Sequence, residues 1–99
     1  MRRQLRVTKR AQGAIRRLRL WWAENRPAAP DAPAEDIDAA LELLLEQPGI
    51  GQAVPQASRA DTRRLLLDRL NCWLYYRATD KTLTLLTIWH TSRGRPPSV

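Results

Sequence analysis

A single histidine, His90, closes an apolar run near the end of the sequence, and Arg93 follows it three positions later. An imidazole with its ordinary pKa of ~6.5 is the side chain best suited to move a proton near neutrality. A guanidinium offers a planar fork for the charge on a phosphate. Cutting an RNA backbone without a metal calls for those abilities. A base takes the 2′-hydroxyl proton, an acid protonates the leaving oxygen, and cations hold the phosphorane charge. His90 can fill either proton role, with Arg63, Arg69, Arg77 and Arg93 as available cations. The set such chemistry would use is His90, Arg77 and Arg93. A plainer reading stands beside it. A lone histidine ending an apolar strand is commonly a structural residue hydrogen-bonded at the sheet edge. Strand-end arginines are commonly solvated, where an exposed ion pair contributes only ~0–1 kcal/mol. Cys72 is the only cysteine, which leaves no internal disulfide and no cysteine-based zinc site. No metal and no cofactor are expected.

The elements that must position these residues can be read from periodicity and turn signals. Residues 3–7 alternate weakly and form a short edge strand. Thr8 caps a helix that ends at Asn25-Arg26-Pro27. On it Ala11, Ile15, Leu18 and Trp22 share one face. Trp21 and Trp22 lie ~100° apart around the axis, so both cannot point inward. Asp31 caps a second helix with Pro33 in its first turn, and Gln47-Pro48-Gly49 stops it. Residues 49–61 read as a loop. Strand-like runs follow over 63–70, 72–78 and 83–90, with Asp80-Lys81 in a tight turn between the last two. They are apolar on both faces, so helices cover one face and a partner is expected on the other. The fold class is therefore α+β: a helical hairpin packed on a small, mainly antiparallel sheet in the order β-α-α-β-β-β. A chain of 99 residues holds one such domain, residues 1–99, with a flexible polar tail at about 93–99.

Charge is distributed in blocks. Residues 1–26 carry nine basic side chains against one acidic, 27–62 one against seven, and 63–99 seven against two. The net charge is +7, with a pI near 11.0. Such an excess points to an anionic partner or to a complement that neutralises it. The acidic second helix lies beside the basic first one, and the two are expected to balance each other. No apolar stretch reaches the ~20 residues a membrane span needs, and no apolar segment follows the basic amino terminus as in a secretory signal. A cytoplasmic protein without membrane attachment is expected.

Four stretches, in order, resemble the ParE branch of the RelE/ParE toxin superfamily. They are Arg6-Val7-Thr8 with the helix ending Trp21-Trp22-Ala23-Glu24-Asn25-Arg26-Pro27; Leu43-Leu44-Leu45-Glu46-Gln47-Pro48-Gly49; Arg63-Arg64-Leu65 through Arg69 with Trp73-Leu74-Tyr75-Tyr76-Arg77; and Leu85 to Arg93, ending His-x-x-Arg. The resemblance implies the toxin half of a type II toxin–antitoxin system. It implies DNA gyrase as the target and a cognate ParD-like antitoxin whose apolar carboxy-terminal segment wraps the toxin. RelE-like members, by contrast, are ribosome-dependent mRNA endonucleases that add a late tyrosine or a lysine cluster. Here Thr91 follows His90, no tyrosine comes after Tyr76, and the lysines are Lys9 and Lys81 alone. The ParE reading is therefore preferred and no catalytic residue is expected. A ribosome-dependent mRNA endonuclease is the alternative, and a non-toxic basic nucleic-acid-binding module comes after it. Against that module stands the lack of any helix-turn-helix, zinc-finger or RNP-type pattern. Target-binding candidates are Arg63, Arg69, Arg77, His90, Arg93 and Arg95; antitoxin-contact candidates are Trp21, Trp22, Trp73, Tyr75 and Trp89.

Overall fold

In the computed structural model, which describes residues 2–99, the chain runs β1 (Gln4–Val7), α1 (Lys9–Asn25), α2 (Ala32–Glu46), a 3-10 turn (Pro48–Ile50), β2 (Gln52–Ala53), β3 (Arg63–Leu67), β4 (Cys72–Ala78) and β5 (Thr82–His90). The five strands form one sheet in the order β1-β5-β4-β3-β2. β1 lies parallel to β5, and every other pair is antiparallel. Two helices on a mostly antiparallel sheet is the α+β arrangement expected from the residue pattern.

Thr8 starts α1 as the sequence suggests. Its Oγ1 accepts the Ala11 N–H at 3.1 Å and points its own hydrogen at the Leu85 and Leu86 carbonyls, 3.0 Å from each. Asp31 behaves differently: it precedes α2, but its side chain makes no capping hydrogen bond. Trp22 is 8% exposed and Trp21 48%, as the 100° separation of neighbours requires. The expected balance between the two helices takes another form. Among the described residues no ion pair joins α1 to α2. Glu42 instead meets Arg2 at 2.6 Å, and Glu35 and Asp36 meet Arg69 from the sheet.

Two boundaries differ from the pattern. β3 ends at Leu67 rather than at residue 70, because residues 68–71 turn the chain and Asn71 sits at φ 52°. That left-handed backbone is one Asn adopts more readily than most residues. The stretch read as loop contains the 3-10 turn and β2, whose two residues pair with Arg63 and Arg64. Two residues are too few to leave a period in the sequence.

The main core lies between helices and sheet. Ala11, Ala14 and Trp22 of α1 and Ile37, Leu41 and Leu44 of α2 pack on Leu74, Leu83, Leu85 and Ile88. Tyr76 reaches through this layer to the chain after α2. Its hydroxyl donates to the Pro48 carbonyl at 2.6 Å and accepts the Gly51 N–H at 3.0 Å. A Cβ on Gly51 would collide with that hydroxyl and ring. Glycine is required there by close approach, not by its backbone angles.

The opposite face of the sheet is covered partly by the chain itself. Val54, Tyr75 and Leu86 form a second buried cluster with Val99 packed against it. The segment read as a flexible tail folds back over this face. The Ser98 carbonyl accepts from Arg10 (2.6 Å), the Val99 oxygen from Ser58 N–H and Oγ–H (3.1 and 2.9 Å), and Pro97 is buried. Tails without long apolar runs are read as free. This one is held by backbone acceptors, which composition does not reveal.

Two outcomes follow for stability. Tyr76→Phe leaves the Pro48 carbonyl and the Gly51 N–H without their partner, so chemical denaturation should show a loss of about 1–3 kcal/mol, and Gly51→Ala should be at least as damaging. The Cys72 thiol, buried and pushed from 9.0 up to about 11, favours the fold while it keeps its proton. Unfolded chains lose that proton first, so between pH 9 and 11 the folded state binds more protons and stability falls as pH rises. Burial raises the Tyr76 hydroxyl as well, and its loss of stability follows above pH 10. Urea midpoints measured from pH 8 to 11 should record the Cys72 part as about 2–3 kcal/mol, absent in Cys72→Ala.

Candidate functional site

Alternation along β3, β4 and β5 decides which candidates meet. Leu65, Leu67, Cys72, Leu74 and Tyr76 face the helices, whereas Trp73 and Tyr75 face the other way. Arg64 pairs in register with Tyr75, and Trp73 with Trp89. The result on the open face is a group of aromatic rings with arginines laid over them. The Arg64 guanidinium carbon lies 3.8 Å from the Trp73 ring centroid, and that of Arg93 lies 3.5 Å from the Trp89 centroid. Arg10 approaches Trp89 at 6.0 Å. Such cation–π stacking holds a long side chain flat and in place while the charge stays wet. Arg95 lies beside it, and its carbonyl accepts the Trp89 Nε1–H at 2.9 Å. Gln56, Arg64, Trp73, Trp89, Arg93 and Arg95 are among the residues lining a pocket of about 260 Å³ here. Arg64 was not a candidate from the sequence. The signal that could have found it is its i, i+2 separation from Leu66, which sets it on the face opposite Leu65 and Leu67.

His90 stands at the end of β5, opposite Cys72, and is exposed. The Ser92 backbone N–H donates to its Nδ1 at 3.1 Å, and Ser92 Oγ lies 2.7 Å from the same nitrogen. A nitrogen that accepts an N–H carries the lone pair, so in the neutral ring Nε2 carries the hydrogen. In that tautomer the nitrogen not bonded to Ser92 is a donor. His90 touches two clefts. One is the open-face pocket; the other, about 430 Å³, lies at the end of α1 between Trp21, Trp22, Arg26, Arg69 and Asn71.

The remaining candidates are placed apart. Arg77 pairs in register with Thr84, five residues along β4 from the position opposite His90. At ~3.3 Å per residue this sets it roughly 17 Å from His90. Its Nε donates to Thr62 Oγ1 at 3.0 Å and lies 3.9 Å from Asp61. Arg63 turns to the helix side and donates to the Gly51 carbonyl at 2.7 Å. Arg69 forms a fork on Asp36 (2.9 and 2.7 Å) with a further bond to Glu35 at 3.0 Å. Those two carboxylates, Asp36 above all, hold the Arg69 charge more firmly than solvent would. Three of the six target-binding candidates are thus bonded within the chain, and His90, Arg93 and Arg95 share the open-face pocket. Two of the five antitoxin-contact candidates lie inside the fold. Trp22 and Tyr75, 8% and 1% exposed, are core rings, because each lies on the inner side of its element or beneath the returning tail. Trp73 and Trp89 carry arginines, and Trp21 is open to solvent.

Among the described residues no three His, Cys, Asp or Glu side chains come together as metal ligands, and no helix is long and apolar enough to cross a membrane. Comparison with known proteins places the arrangement. The chain is similar to a solved structure described as the "Chromosomal ParDE TA system from P. aeruginosa", with a TM-score of 0.71 at 19% identity over 91% of this chain and 97% of that one. At that identity the likeness is one of fold. No curated protein sequence matches significantly. The family described as "ParE toxin of type II toxin-antitoxin system, parDE" matches residues 5–95. With nearly the whole chain matched, strand by strand from β1 to the loop after β5, this protein belongs to the ParE toxin family of type II toxin–antitoxin systems.

Proposed function

We propose that this toxin acts in the cytoplasm by binding and inhibiting DNA gyrase, and that a cognate ParD-like antitoxin restrains it. The observation carrying the non-catalytic reading is the scatter of the three groups that RNA cleavage would need. Arg77 lies roughly 17 Å from His90 along the sheet. His90 offers Nδ1 to Ser92 and a hydrogen on Nε2. General acid–base chemistry needs its groups within hydrogen-bond reach of one substrate atom. Binding alone has no such requirement. A basic face with fixed arginines suits a target that works on DNA.

One observation favours the ribosome-dependent endonuclease as a second reading: His90 and Arg93 line the same pocket. The experiment that separates the two uses His90→Ala. Purified wild type should block gyrase supercoiling and accumulate linear plasmid, and His90→Ala should still do so. If His90 is instead the proton-transfer group of a nuclease, the variant should lose about 10²–10⁴-fold of RNA cleavage, and gyrase should be unaffected by either protein.

The antitoxin's place is argued from exposed apolar surface. Leu20 and Trp21 are adjacent on α1, 58% and 48% exposed. Arg26 reaches over Trp21 at 5.8 Å, and Trp22 meets it edge-on at 6.0 Å. A large ring standing half free beside an exposed leucine is an anchor for a partner's apolar segment. Trp21→Ala should raise the Kd for the antitoxin at least tenfold, a loss of about 1.4 kcal/mol or more. It should also leave the melting temperature of the free toxin nearly unchanged. Calorimetric titration against the antitoxin's carboxy-terminal peptide checks the first and thermal unfolding the second.

A further inference from the structure

We infer that the open-face pocket is a phosphodiester site, in which Arg64 and Arg93 clasp the backbone of a nucleic acid strand without reading its bases. The argument begins with what the pocket offers a ligand. Trp73 and Trp89 would be stacking platforms for bases if their faces were free, but each has a guanidinium over it, at 3.8 and 3.5 Å. The Trp89 Nε1–H is spent on the Arg95 carbonyl. Aromatic surface is therefore not what a ligand meets. It meets the in-plane N–H edges of arginines held flat by the rings below them.

Those edges are largely unspent. Arg64 uses its Nε on Gln52 at 2.9 Å and one Nη1 hydrogen toward the Tyr75 hydroxyl at 3.4 Å, which fixes its rotation and leaves the Nη2 side open. Among the described residues Arg93 makes no side-chain hydrogen bond, and neither it nor Arg64, Arg10 or Arg95 makes an ion pair. No carboxylate lines the pocket. This contrasts with Arg69 and Arg2, which carboxylates neutralise on the helix side. Trp73 and Trp89 are cross-strand partners, so their Cβ atoms are ~5 Å apart, and the arginines stacked on them line the one pocket. Paired planar forks in a concave site free of acids suit an oxyanion such as a phosphate. Arg95 on the rim and Arg10 beyond Trp89 extend the positive charge past one phosphate. That extension fits a polyanionic strand better than an isolated ion.

The inference goes beyond the gyrase reading and stands without it, because its test contains no gyrase. Fluorescence anisotropy would follow binding of the full-length toxin to a labelled duplex DNA, the same sequence as single-stranded DNA, and as RNA, over a range of salt. Inorganic phosphate would be added as competitor. Each removed phosphate contact lowers the slope of log K against log salt by about 1 and weakens binding on the order of tenfold near ~0.1 M salt. Arg64→Ala and Arg93→Ala should each show that loss, regardless of base sequence. Arg93→Lys should keep most of the slope but not the full affinity, since it retains charge and loses the stacked fork. Arg16→Ala, an exposed arginine on α1, should change neither. Tighter binding in any one arm supports the site and names the backbone it takes. Three results would overturn it: displacement by millimolar phosphate as readily as by oligonucleotide, an unchanged salt slope in both alanine variants, or an equal fall with Arg16→Ala. Circular dichroism of each variant confirms that a lost slope is not lost folding.

Discussion

One extra residue in β5 sets the faces of the whole sheet. The register passes from Tyr75 opposite Thr87 to Tyr76 opposite Leu85, so Leu86 has no partner on β4. In an uninterrupted strand side chains alternate strictly, and a shift of one residue moves every later side chain to the other face. Because of this bulge Leu83, Leu85 and Ile88 all reach the helices, while Leu86 and Trp89 face outward. Thr8 holds the irregularity in place. Its backbone N–H and hydroxyl both bond to the Leu85 carbonyl, the hydroxyl is equally near that of Leu86, and its Oγ1 also caps α1. A single side chain therefore connects the start of the first helix to the point where the central strand changes phase. Trp89 can carry Arg93 on the open face only because the strand changes phase there.

The same division explains how a chain with a net charge of +7 stays folded with its arginines so close together. On the helix side two arginines are matched by carboxylates. Arg69 ties the β3–β4 turn to the start of α2, and Arg2 reaches Glu42. The carboxylates near the start of α2 also oppose the positive end of its dipole. Around the open-face pocket, among the described residues, the arginines are not matched by acids. They are fixed by rings, by Gln52 and by backbone carbonyls. Neutral partners position a guanidinium without cancelling its charge, so repulsion among these groups persists and an anion relieves it. The paired and the stacked arginines thus differ by what holds them.

Sequence reading reached the architecture because each helix has a full apolar period with stop signals, and β4 and β5 have enough β-branched or aromatic residues to stand out. It identified Thr8 and the opposite fates of Trp21 and Trp22 from local geometry alone. The site was less legible. Arg77 and His90 look like companions when both are strand-end residues, yet antiparallel pairing sends them to opposite ends of the sheet. Arg69 looks free until the chain brings Asp36 to it across 33 positions. Arg64 and the folded tail were missed because their partners are a tryptophan nine residues on and backbone carbonyls. Neither leaves a charge pattern or a period.

Covering the second face of a sheet is the standing problem for so short a chain, and how this one does so limits where a partner goes. Two helices suffice for one face only. The other receives Val54, Ala57, Pro97 and Val99 from loop and tail, over Tyr75 and Leu86. Where that cover stops, at Trp73 and Trp89, arginines lie across the rings and replace an apolar surface with a charged one. Adjacent large apolar side chains remain bare at Leu20 and Trp21. An apolar segment seated on the sheet would have to displace guanidiniums from rings they already shield, losing cation–π contacts and desolvating charge. On α1 Arg26 stands farther off, 5.8 Å from the Trp21 ring, and Leu20 is bare. The proposed antitoxin anchor therefore belongs on the first helix, and the open face of the sheet is left to a partner that wants its charge.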